Sequence, residues 1–291
     1  MNVRPLFHTT AGALRAPWRL LFFVMALAVS SFAAVALIAP LTGKLFVLAG
    51  LRSQTFSSII EVAGALGATW LALRWLERKP WSEVGLDRAA ARPKWFGIGF
   101  AAGGLAVALP ILLLILVGWL DRVPSPTTTW GQPLVRITVL LLPAALAEEL
   151  ITRGYLLTAI RDALNWTWAV AITSIAFGLL HLQNPGATAQ SVTLVVLAGV
   201  FLATIRIVTG SLYAAWAAHF AWNWVMAAIF HAPVSGYAFD LPAYRYVDAG
   251  PDWATGGTWG PEGGVPAGVA MIAGTGLLLL QRRRRRAEGD R

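Results

Sequence analysis

The run LLLPAALAEELITRGYLLTAI, residues 140–160, is apolar enough to lie in a bilayer, yet it carries Glu148, Glu149 and Arg153. An ionisable side chain at membrane depth costs roughly 3 to 17 kcal/mol, so three in one span need partners or a task. At 3.6 residues per turn, Glu149 and Arg153 stand four residues apart on one face and are predicted to form an ion pair. Glu148 is rotated from them by about 100° and has no partner on its own helix. A structural salt bridge therefore accounts for two of the three charges. An unpaired intramembrane carboxylate points to proton handling, in an enzyme or in a transporter.

The remainder of the chain supports reading that run as a span. Of 291 residues, 57% are hydrophobic and 13% charged, about half the charged share of a soluble domain. The expected fold is all-α, a polytopic transmembrane helical bundle of about eight spans. They fall near residues 20–40, 56–73, 95–120, 134–160, 166–182, 189–207, 212–230 and 265–280. The basic start with Arg4, Arg15 and Arg19 resembles that of a signal peptide. The following apolar run is of full bilayer length without a clear cleavage site, so it reads as a retained helix. Glu61 in the second span either lines the bundle interior or snorkels from near the helix start. Gly99 and Gly103 in the third allow a neighbouring helix to approach closely, a weak signal in so glycine-rich a chain.

Charge placement orients the bundle. Residues 74–94 hold six basic and three acidic side chains and accommodate a short interfacial helix around residues 81–90, whereas residues 231–264 hold four acids against Arg245. The tail, residues 281–291, carries six Arg. Eight spans put both termini on the side of the basic segments, which the positive-inside rule makes cytoplasmic, as in a bacterial plasma membrane. The chain then divides into a cytoplasmic segment (1–19), N-terminal spans and loops (20–133), a core (134–230), an exposed extracytoplasmic loop (231–264), a final span (265–280) and a basic tail (281–291). Beside an apolar span, a basic tail is explained by anionic lipid and topology, with no nucleic acid among the expected partners.

Two further pairs carry chemistry. Phe177-x-x-x-His181 ends the fifth span, and His219-x-x-x-Asn223 lies deep in the seventh, each pair on one helix face. A His at a helix end is ordinarily an interface or capping group, but His219 and Asn223 both need partners in an apolar run. Together with Glu148 they form an inventory suited to hydrolysis, in which a carboxylate and a His activate water while a His and an Asn stabilise an oxyanion. The same Glu148, His181 and His219 would also serve as metal ligands, zinc above all. Cys is absent, which removes disulfides and thiolate chemistry. Neither H-E-x-x-H nor G-x-S-x-G occurs. One difficulty is depth. Glu148 and His219 fall well inside the bilayer, whereas His181 falls at the far end of its span, so the fifth helix must shift or extend, or a loop must carry the imidazole inward.

In that order, Glu148-Glu149-x-x-x-Arg153, Phe177-x-x-x-His181 and His219-x-x-x-Asn223 resemble the motifs of the CPBP family of intramembrane proteases. That family includes prenyl-protein (CAAX) endopeptidases and bacteriocin-processing or immunity-related proteins. The resemblance covers mainly residues 140–230. It implies that Glu148 and His181 activate the water, that His219 and Asn223 form the oxyanion hole, and that Glu149 and Arg153 order the site. It also favours a metal-independent mechanism without a cofactor, and a membrane-associated peptide or prenylated protein as substrate. Two other classes compete: a proton-coupled transporter, against which the absence of an inverted repeat counts, and an inactive immunity or scaffold protein that keeps the motifs.

Overall fold

The computed structural model describes residues 7, 14–48, 53–125, 129, 131–239 and 241–289. Arg4 and most of the N-terminal segment, part of the Thr-rich loop before the fourth span, and the last two residues of the tail lie outside the described residues.

The chain is a helical bundle. Helices α1 (Ala16–Leu48) and α2 (Ser53–Leu71) form an antiparallel pair, and a π-helical turn extends α2 through Ala72–Glu77. After a single 3₁₀ turn (Trp81–Val84), where a short interfacial helix is expected, comes α3 (Pro93–Leu116). Gly85 in a left-handed conformation (φ 70°) ends that turn before a longer helix can form. The stretch read as one span is helix α4 (Gly131–Glu149), a π-helical turn (Leu150–Tyr155) and helix α5 (Leu156–Ala163). Next come α6 (Trp166–Leu180), α7 (Ala189–Thr209) and α8 (Leu212–Trp224). The last long helix, α10 (Val265–Gly289), follows a one-turn α9 (Asp252–Thr255).

Five of these helices are long and apolar enough to cross a membrane, and they support a membrane-embedded protein: Ala16–Ile38, Gln54–Glu77, Pro93–Leu116, Ala189–Thr209 and Val265–Arg285. Of the other three expected spans, the fourth is broken by its π-turn, while α6 and α8 are short.

Small residues set the tightest packing. A Cβ on Gly99 would lie 2.1 Å from the carbonyl oxygen of Ala214, and one on Gly103 1.9 Å from that of Ala218. Those distances are impossible for any side chain, so α3 and α8 meet backbone to backbone along the two glycines, and they are the most extensively packed helix pair. Val107 and Ile111 of α3, Phe201 of α7 and Ala218 and Trp222 of α8 share the main core beside this contact. Side-chain caps fix where the site-bearing helices begin. Asn165 accepts from the Trp168 N–H (3.1 Å), Thr188 and Ser191 form a capping box on α7, and Ser211 accepts from the Ala214 N–H (3.2 Å).

Two features depart from the expected all-helical bundle with an exposed loop. Strands β1 (Leu120–Pro124) and β2 (Tyr244–Asp248) pair antiparallel, Leu120 opposite Asp248. The 231–264 segment is a folded cap rather than an exposed loop, with Leu241, Trp259 and Glu262 buried. Its Gly and Pro residues shape close turns around those anchors.

At the other end of the bundle lies a belt of ion pairs. Arg19 bonds Glu77, which also accepts from the Tyr155 hydroxyl (2.7 Å); Lys79 meets Asp162 (2.6 Å); Arg161 bonds Glu83 and Asp162. The belt ties α1, α2 and α5 together beside the basic loop.

Candidate active site

The fourth span supplies the hub. The Glu149–Arg153 pair forms as the spacing predicts, Arg153 Nη1 donating to Glu149 Oε1 at 2.8 Å, and both side chains are 0% exposed. Arg153 also donates to Thr152 Oγ1 (2.7 Å) and stacks its guanidinium 4.1 Å from the Phe177 ring centroid. The same carboxylate oxygen of Glu149 lies 2.9 Å from His219 Nδ1. A carboxylate paired with an arginine accepts, so His219 Nδ1 carries the hydrogen and Nε2 is the free end of the ring. Spacing places the Glu149–Arg153 pair; the link from Glu149 to His219 needs α8 to pack beside it.

Helix α6 settles the depth of His181. Starting at the Asn165 cap and running only 15 residues, it rises about 22 Å and stops short of a full bilayer crossing. His181 is its C-cap residue. The ring Nδ1 lies 2.8 Å from the Phe177 carbonyl, which accepts, and this again leaves Nε2 as the free nitrogen. A short helix, rather than a shifted or extended one, brings His181 to the level of the other groups. Phe177 is the shared wall, edge-on to His181 (4.8 Å between centroids) and to His219 (5.8 Å).

Both free nitrogens face the remaining carboxylate. Glu148 Oε2 stands 3.9 Å from His181 Nε2 and 3.8 Å from His219 Nε2. These gaps are longer than direct hydrogen bonds and short enough for one water to be shared among the three groups. Asn223, one turn beyond His219, lines the same space, and its amide has no hydrogen-bond partner among the described residues. The space is a cavity of about 360 Å³, walled by α2, α4, the end of α6, α8 and the 234–239 stretch of the cap. Glu148, His181, His219 and Asn223 thus converge on one cavity, while Glu149 and Arg153 lie behind it.

Residues 130–225 match the family model described as Type II CAAX prenyl endopeptidase Rce1-like. No curated protein and no solved structure matches the chain. The matched segment contains Glu148, Glu149, Arg153, His181, His219 and Asn223, and excludes Glu61 and the whole cap. The segment that matches this protease-family model holds a buried Glu–His pair, Glu149 and His219.

Sequence reasoning missed Glu262. Its carboxylate is buried and accepts from Trp222 Nε1 (2.7 Å) through one oxygen and from Ser235 N–H and Oγ–H (2.6 and 2.7 Å) through the other. Trp222 precedes Asn223, and Ser235 lines the cavity roof, so Glu262 joins the roof to α8. Asn184 adds a second tie from the His181 side, donating to the Ser235 carbonyl at 3.2 Å.

A zinc ion on Glu148, His181 and His219 would need its ligand atoms about 3.3 Å from one another, given bonds of about 2.0–2.1 Å. The observed 3.8–3.9 Å spacings are wider, and no three His, Cys, Asp or Glu side chains among the described residues form a group that could hold a metal. The donor set as it stands does not fit the ion.

Proposed function

We propose that the chain is an intramembrane endopeptidase, of the CAAX-processing type or a bacterial relative of it, that hydrolyses peptide bonds with a water held by Glu148 and His181. The observation that carries this reading is the approach of two imidazole Nε2 atoms to within 3.8–3.9 Å of one carboxylate oxygen in a cavity.

The sequence of events follows from the donors and acceptors. The water gives a proton to the Glu148 carboxylate as its oxygen attacks the carbonyl carbon, with His181 orienting it through the Nε2 lone pair. The carbonyl oxygen becomes an oxyanion and accepts from the Asn223 amide and, when the ring is protonated, from His219 Nε2–H. Glu149 accepts from that ring at Nδ1, while Arg153 donates to the same carboxylate oxygen. Collapse breaks the C–N bond as the Glu148 proton passes to the leaving amine. The substrate is a membrane-associated peptide or a prenylated protein. The basic loop and both termini face the cytoplasm of a bacterial cell under the positive-inside rule.

The test is cleavage of a reporter peptide library by protein in liposomes. Glu148→Gln is expected to abolish cleavage with the unfolding temperature unchanged, and a strong chelator to leave the wild type active. Equal cleavage by wild type and variant would sink the reading. Loss with chelator that added zinc restores would overturn its metal-free form.

A further inference from the structure

The first turns of α2 present Gln54, Ser57, Ser58 and Glu61 to the cavity that ends at Glu148. Their spacing places all four on one face of a helix that otherwise qualifies as a membrane span. A polar stripe on a span faces water or substrate rather than lipid. Ser58 turns its hydroxyl back onto the Gln54 carbonyl (3.0 Å), while Gln54, Ser57 and Glu61 are exposed, and Glu61 has no ion-pair partner among the described residues.

The lining sorts by charge. Glu61 and Glu148 are its carboxylates, His181 and His219 its imidazoles, and no Lys or Arg among the described residues belongs to it. A peptide whose free C-terminal carboxylate lay in this cavity would add a third negative charge with no lysine or arginine among the described lining residues to meet it. A lysine or arginine side chain would instead meet a carboxylate on an exposed wall, close to the reacting groups. The stripe also places the cavity along the bundle. Gln54 and the belt residue Glu77 stand at opposite ends of one helix, roughly 30 Å apart at 1.5 Å per residue. The cavity thus lies toward the end of the bundle opposite the ion-pair belt.

We propose that Glu61 is a specificity-determining residue that receives a lysine or arginine side chain of the substrate next to the scissile bond. Of the two forms proposed above, this favours the bacterial relative, whose substrate is then an internal basic segment of a membrane-associated polypeptide, over the CAAX-processing type, which takes a free C-terminal tail. This rests on the peptidase reading above.

The experiment uses full-length protein in liposomes and peptides identical except for Lys, Gln or Glu at each position flanking the cut. Wild type is expected to favour Lys over Gln by about tenfold in kcat/KM at one position, the effect of one charge-assisted contact. Glu61→Gln brings the Lys peptide down to the Gln peptide, whose own cleavage stays within about twofold and so reports an intact fold, and Glu61→Lys shifts preference to the Glu peptide. Should the variants not fold, the wild-type Lys:Gln ratio decides alone. Glu148-dependent cleavage with the same Lys:Gln ratio in wild type and Glu61→Gln overturns the proposal, as does preference for a free C-terminal carboxylate near the cut over its amide. Absence of Glu148-dependent cleavage in every peptide overturns the peptidase reading itself, and the proposal with it.

Discussion

A single oxygen of Glu149 holds both Arg153 and His219, so each of the three is placed by the other two. Removing the guanidinium leaves a carboxylate buried without a cation, which costs about 3–5 kcal/mol. Arg153→Ala is therefore expected to lower the unfolding temperature sharply in a detergent melt, and to abolish cleavage. Removing both charges with Glu149→Leu and Arg153→Leu is expected to recover much of the stability and none of the activity, because His219 then has no acceptor at Nδ1. A double variant no more stable than the single would refute the buried-charge account. The ion pair was legible in the sequence because i,i+4 geometry is local to one helix. The meeting of Glu148 with His181 was implied by the motif resemblance but not by hydropathy: it depends on α6 stopping after 15 residues, and hydropathy does not distinguish a helix that ends at mid-depth from one that crosses.

Among the elements, α8 carries His219, Asn223 and the Trp222 indole, so its seat on α3 governs the site. Gly103→Ala places a methyl group where the Ala218 carbonyl already lies, and backbone cannot rotate away as a side chain can. The helices must part, at a cost of roughly 1–3 kcal/mol, and kcat is expected to fall with stability. Gly97→Ala meets nothing within 4 Å and serves as the control; equal effects from the two would dismiss the packing argument. Glu262 acts on the opposite edge of the same helix. Glu262→Ala strands the Trp222 and Ser235 donors, at about 1–3 kcal/mol for an unsatisfied buried group. Limited proteolysis is expected to cut the variant's cap sooner than that of wild type. The Gly99/Gly103 pair was visible as a motif, though a weak one in so glycine-rich a chain. Glu262 carried no signal, because a lone acid among Gly and Pro has neither period nor spacing to mark its partners.

At the scale of the whole molecule, one end is closed by ion pairs and the other by the cap. Burial raises the pKa of Asp162, but hydrogen bonds from Lys79 and Arg161 and their charges outweigh it, and the net value lies below the ordinary 3.8. A carboxyl depressed on folding contributes stability that is complete above its unfolded value and is lost as pH falls through the lower folded one. Asp162→Asn is therefore expected to be less stable than wild type at pH 6, with the gap closing below pH 3.8; a gap independent of pH would exclude the belt as its source. The helical bundle and the polarity of its two ends were legible from hydropathy and charge. The ribbon was not, since β1 and β2 lie more than a hundred residues apart and each is too short to show alternation. That ribbon has a mechanical result. The cap is fastened at β2 to the chain linking α3 and α4, and at Glu262 to α8, like cloth stitched along two hems. Held along both seams, it is expected to gape between them rather than swing open, and under the proposed peptidase function that would admit a slack, single strand and keep out a folded domain.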